Sequence, residues 1–337
     1  MNYRSFGKTG LQVSEIGFGG SRMGGVFAQG RGSGEALNVL RQALDAGITF
    51  YDTADIYSQG EGETLLGQAF RDRRDKVILA SKGGYCLPAQ RKLIARVKPL
   101  VKPVARLLGL KRENLPASVA GTLSQDFSPS YLVQALEGSL RRLKTDYLDL
   151  YQLHSPPADL LQSEAFGETL QALEALKRQG KIRHYGVAAD TAEDAQLCLQ
   201  YPEIASVQMP FGLLDLEALD SVLSQAEAHG VGVIARGCFG GGLLKETLTE
   251  AELQAQTPKW ERILAYRRLA AQQDRPILEM ALQFALRAPA ISVTLLGMRT
   301  ESHLTTNLRY YAALPLSDAE YQAIACGKGN ALPHEKI

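Results

Sequence analysis

Short, almost continuously apolar runs alternate along the chain with longer stretches whose apolar residues return every three or four positions. The apolar runs are SEIGFGG (14–20), ITFYDTA (48–54), KVILASK (76–82), YLDLYQLHS (147–155), IRHYGVAA (182–189), SVQMPF (206–211), GVGVIARG (230–237) and SVTLLGM (292–298). Runs of this length and composition read as strands covered on both faces. The stretches between them, such as GEALNVLRQALDAG, SYLVQALEGSLRRLK and ETLQALEALKRQG, read as amphipathic helices. Gly47 and Gly180 stand where a left-handed residue would end a helix.

Eight strands alternating with helices predict an α/β fold, a (β/α)8 TIM barrel. An open doubly wound sheet would call for GxGxxG after its first strand. The chain offers Gly17 and Gly19, but Arg22 holds the third position. Two segments leave the barrel rhythm. Residues 2–13 predict an N-terminal hairpin turning at Gly7-Lys8-Thr9-Gly10, set to plug the bottom of the barrel. Residues 84–128 form a long insertion after the third strand, and a connection of that length predicts a lid over the barrel mouth. The insertion is basic over 91–112, a composition also found on membrane surfaces, but Pro99 and Pro103 interrupt any long helix there. The whole of 1–337 is expected to be one barrel domain.

Composition narrows the partners. The 337 residues are 45% hydrophobic and 22% charged, with a net charge of +1, so nothing points to nucleic acid. Cys86, Cys198, Cys238 and Cys326 make no CxxC or Cys/His spacing, so neither a metal site nor a disulfide framework is expected. The opening MNYRSFGKTGLQV lacks the apolar core of a signal peptide, and no apolar run is long enough to span a bilayer. A cytoplasmic protein is expected. Its oligomeric state is not legible.

The candidate chemistry gathers at strand ends, where barrels place their active sites. Asp52 and Tyr57 follow the second strand, Lys82 closes the third and His154 closes the fourth. A tyrosine acid, a lysine favouring its phenolate, an aspartate holding the lysine and a histidine aiming a carbonyl oxygen form a coherent set for proton transfer. Taken singly, each has a plainer role: a packed loop tyrosine, a polar strand end, a turn histidine, a turn-capping aspartate.

ITFYDTADIYSQGEGETLLGQAF and SLRRLKTDYLDLYQLHSPP resemble two signatures of the aldo-keto reductase superfamily. The resemblance runs from IGFGGSRMGG to TESHLTTNL and puts the family's tetrad on Asp52, Tyr57, Lys82 and His154. It implies an enzyme that binds NADP(H) without a Rossmann domain and moves hydride to or from a carbonyl carbon. Implied cofactor contacts are Gly20, Ser21, Arg22, Asp52, Gln208, Arg236, Gly237, Phe239, Gly241, Gly297, Arg299, His303 and Asn307. Gln208 would hold the carboxamide, the glycine loop after Arg236 would wrap the pyrophosphate, and Arg299 would fork onto a 2′-phosphate. The helix expected to start near Glu301 offers an N-terminus for an anion.

One departure stands out. Where the family shows Gly-Val-Ser-Asn, this chain has Gly186-Val187-Ala188-Ala189-Asp190. Two polar contacts to the carboxamide are replaced by methyl groups, leaving Asp190 or a water to substitute. The resulting expectation is an NADP(H)-dependent alcohol or sugar dehydrogenase, or aldehyde or ketone reductase, with Tyr57 as general acid and base. The alternative is an NADP(H)-binding regulatory or redox-sensing protein of weak catalysis.

Overall fold

The computed structural model describes residues 1–21, 23, 33–86 and 123–326. Eight parallel strands close into a barrel: β3 (Ile16–Gly19), β4 (Phe50–Asp52), β5 (Ile78–Gly83), β8 (Leu148–His154), β9 (Ile182–Ala188), β10 (Ser206–Pro210), β11 (Gly232–Arg236) and β12 (Ile291–Gly297). Each lies within or against one of the eight apolar runs, and amphipathic helices follow as the (β/α)8 pattern requires. The backbone divides into two compact units. One holds Met1–Gly17, Ala189–Leu296 and the chain from Glu301; the other holds Phe18–Ala188 and Gly297–Thr300.

In the first unit, β1 (Tyr3–Ser5) and β2 (Gln12–Ser14) form the antiparallel hairpin. It seats on the N-terminal ends of β11 and β12. The Lys8 N–H donates to the Gly230 carbonyl at 2.7 Å, and the buried Phe6 ring lies where a side chain on Gly232 would stand. Arg4 donates to the carbonyls of Leu286, Ala288 and Ile291 and pairs with Glu15. One cation thus satisfies three carbonyls where the helix over Ile277–Arg287 gives way to β12.

In the second unit, strand alternation sorts the side chains into two layers. Tyr51 faces the helices: its hydroxyl donates to the Leu40 carbonyl and its ring packs on Phe70 at 4.5 Å. Its neighbours Phe50 and Asp52 therefore face the barrel interior. Across β5 and β8 the same rule turns Lys82, Gln152 and His154 inward, and Ser81, Asp149 and Tyr151 outward. Register seals this arrangement, with Asp52 opposite Ala80 and Lys82 opposite Gln152.

At the far end of β5 the chain forms a short ladder, β6 (Tyr85–Cys86) against β7 (Ser124–Gln125), before the helix over Pro129–Leu143. These strands are the two ends of the long insertion. Its residues 87–122, including the basic stretch expected to form the lid, lie outside the described residues, as do Arg22 and the C-terminal 327–337.

Candidate active site at the ends of three neighbouring strands

Lys82 has no exposed surface, and Asp52 has almost none. Burying an ammonium group alone would be prohibitive, so the pairing around it decides whether the fold tolerates it. Lys82 Nζ donates to Asp52 Oδ2 at 2.5 Å and to the Thr53 carbonyl at 2.9 Å. The second carboxylate oxygen, Asp52 Oδ1, accepts from Gln152 Nε2 at 3.1 Å. Both partners therefore find donors and acceptors inside the barrel.

Tyr57 comes to this pair through a tight turn. The Tyr57 N–H bonds the Ala54 carbonyl, and the next three residues, Ser58, Gln59 and Gly60, are all left-handed, with φ of 51°, 62° and 84°. Two of them carry side chains, a strained backbone of the kind found where a fold must aim one group. The strain is held on one side by Ser58 Oγ, which donates to the Met23 carbonyl at 2.9 Å. The helix over Glu61–Phe70 takes up the chain on the other.

The Tyr57 ring lies 5.2 Å from Lys82 Nζ and meets His154 edge-on, with ring centroids 5.5 Å apart. Tyr85 also meets His154 edge-on, with ring centroids 4.8 Å apart. Gln125, on the returning strand β7, donates to the carbonyls of His154 and Ser155 and ties the insertion's end to the histidine. All four expected tetrad residues therefore meet in one unit, on the three hydrogen-bonded strands β4, β5 and β8 or just past them.

The other expected contacts divide between the units. Gly20 is buried, and its N–H donates to the Asp52 carbonyl at 2.7 Å; Ser21 beside it is exposed. Gly297 and Arg299 are exposed at the end of β12. In the other unit Gln208 is buried at the middle of β10, and Asn307 is buried on the helix over Glu301–Tyr311 while His303 on the same helix is exposed. After Arg236 the loop runs through left-handed Gly237, Gly240, Gly241 and Gly242, with Phe239 between.

Arg236 has an internal engagement that the residue order did not reveal. Its guanidinium donates to the Ala189 carbonyl at 3.1 Å and pairs with Asp190 Oδ1 at 3.0 Å. The departure Ala188-Ala189-Asp190 is thus joined to Arg236, with both alanines buried.

Two residues that contact this group were missed. Gln152 was hidden inside an apolar run, although its place two residues before His154 puts it on the same face, and that was the available signal. Tyr85 belongs to the start of the insertion, and nothing in its spacing foretold the contact with His154.

The aldo/keto reductase family model matches residues 15–326. The chain belongs to that family. It is 29% identical to the uncharacterized oxidoreductase YqkF of Bacillus subtilis (strain 168), over 96% of this chain and 95% of that protein. The aldo-keto reductase YhdN of the same organism is also 29% identical, covering 90% of this chain and 87% of that protein. Among solved structures, the holo form of aldo-keto reductase AKR11C1 from Bacillus halodurans superposes with a TM-score of 0.77 at 31% identity, over 96% of this chain and 95% of that one. The family carries out nicotinamide-dependent carbonyl reduction, so the chain is an oxidoreductase acting on a small molecule. Among the described residues, no helix is long and apolar enough to cross a membrane.

Proposed function

We propose that the protein reduces an aldehyde or ketone to the alcohol, or runs the reverse reaction, with NADP(H) and with Tyr57 as general acid and base. The observation that carries this reading is the fully buried Lys82 ammonium, bonded to Asp52 and set against the Tyr57 ring. A buried cation beside a phenol favours the phenolate and eases proton transfer near neutral pH. Asp52 and Gln152 hold the cation in place. His154 and Tyr57, whose rings meet edge-on, would together donate to a carbonyl oxygen and stabilise charge that develops during reaction.

The backbone suits a dinucleotide phosphate. A methyl group added at Gly237 or Gly241 would meet nothing within 4 Å, so this loop has room for a phosphate to come close. The bound nicotinamide supplies the hydride. Gln208 would hold its carboxamide, while Gly20, Ser21, Phe239, His303 and Asn307 would complete the contacts. Arg236 would reach the cofactor only while sharing its guanidinium with Asp190. Arg299, exposed and planar, is assigned to the 2′-phosphate, which makes NADP(H) the favoured cofactor.

Following NADPH oxidation by its absorbance against a panel of aldehydes tests the reaction class. Turnover supports it; NADPH binding without turnover of any aldehyde favours the regulatory alternative. Arg299→Ala is expected to raise KM for NADPH roughly tenfold or more and leave NADH unchanged, the signature of a lost charge-assisted contact. Equal effects on both cofactors would remove the 2′-phosphate assignment.

A further inference from the structure

Beside the catalytic group, within the same unit, a cavity of about 380 Å³ opens between the 53–60 turn, Tyr85 and the helix over Pro129–Leu143. Its volume is in the range of small-molecule sites. Tyr57 and His154 do not line it, but it shares the Tyr85 wall with the catalytic centre, since the same ring packs on His154.

We propose that this cavity binds a neutral, hydroxyl-rich small molecule such as a polyol, at a site distinct from the carbonyl position at Tyr57. The lining has the matching chemistry. Asp55 lines the cavity with a carboxyl, one oxygen of which (Oδ1) is sealed from solvent. Gln59 and Gln134 each bring a carboxamide, able both to donate and to accept as a hydroxyl does. Tyr131 and Tyr85 supply aromatic walls, locked together because the Tyr131 hydroxyl donates to the Tyr85 carbonyl at 2.6 Å.

Charge argues against an ionic occupant of either sign. Arg142 lines the cavity, but its Nε is bound to the buried Glu63 at 2.6 Å, leaving exposed Arg141 as the other cationic group at the rim. A cationic occupant would face both arginines. An anionic one would find Arg142 held by Glu63, and would meet the Asp55 charge as pH rises through about 7. Burial, reinforced by Glu63 and opposed by Arg142, a hydrogen bond from the Ile56 backbone and Lys82, raises the Asp55 carboxyl to about 7. Near neutral pH it can then donate as well as accept, as recognition of a hydroxyl requires.

Xylitol, which has no carbonyl to reduce, is the probe. Saturation-transfer difference NMR on the full chain without cofactor should show transfer to xylitol in wild type. Gln134→Leu and Asp55→Leu should each weaken its binding at least tenfold, and Tyr57→Phe should leave it unchanged. Circular dichroism checks that Asp55→Leu folds, and Gln134→Leu, at an exposed helix position, carries the test if it does not. Absence of transfer in wild type, or equal transfer in wild type and Gln134→Leu, would overturn the proposal. So would loss of binding in Tyr57→Phe, which would move the polyol to the catalytic hydroxyl, or displacement by inorganic phosphate, which would make the site anionic. Because no step requires turnover, failure here is distinct from failure of the proposed reductase activity.

Discussion

At the scale of single residues, the structure is governed by what a buried charge demands. Lys82 needs Asp52, and Asp52 in turn draws on the Gln152 amide, which donates to its Oδ1. Gln152→Leu would remove the Nε2–H bond to the buried Asp52 Oδ1, and losing a buried hydrogen bond to a charged group costs about 1–3 kcal/mol. Urea unfolding should show that loss, and kcat should fall more than KM rises, because the variant disturbs the lysine rather than substrate binding. Asp55 obeys the same rule with the opposite sign. Its carboxyl ordinarily titrates near 4 but is raised to about 7 in the fold. Below pH 4 both folded and unfolded chains hold its proton and nothing is lost. Between pH 4 and 7 the unfolded chain ionises and the folded one does not, so stability falls by roughly 3–4 kcal/mol and then levels off. Asp55→Asn should therefore be more stable than wild type at pH 8 and no more stable at pH 4. A stabilisation independent of pH would show that Asp55 does not titrate this way. That these four residues would gather at neighbouring strand ends was legible, because each closes or follows an apolar run. Gln152 and Asp55 were not, since a polar residue inside such a run, or within a signature, draws no separate notice until its face and depth are known.

At the scale of elements, apolar runs located all eight barrel strands but overran their ends. The run 48–54 becomes a strand only over Phe50–Asp52, because the chain must leave the ladder to enter the turn that aims Tyr57. That turn, with two left-handed residues bearing side chains, had no signal in glycine placement beyond Gly60. The Ala188-Ala189-Asp190 segment was visible as a departure, but its tie to Arg236 depends on the neighbouring ends of β9, β10 and β11. Helix packing in the second unit depends on Gly67, where an added methyl would stand 2.5 Å from the Leu143 carbonyl oxygen. The helices over Glu61–Phe70 and Pro129–Leu143 must separate to admit it. Gly67→Ala is thus expected to destabilise by about 1–3 kcal/mol despite the better helix propensity of alanine. Thermal unfolding would read this directly, and an unchanged or higher Tm would mean that the helices yield without cost.

At the scale of the whole molecule, the closed barrel follows from strand count and alternation, and the N-terminal hairpin from its turn residues. The role of Arg4 in anchoring that hairpin could not be read, because its three carbonyl partners lie more than 280 positions away along the chain. Arg4→Ala should cost roughly 2–4 kcal/mol, since it strands several carbonyls that now accept from a charged group. The central claim, however, concerns one hydroxyl. The most direct test compares wild type with Tyr57→Phe, measuring NADPH affinity by fluorescence titration and aldehyde reduction in the same preparation. The account predicts a Kd for NADPH within about twofold of wild type and a kcat lower by roughly 100-fold or more, the scale of a lost general acid. Turnover that survives with Phe at position 57 would contradict it.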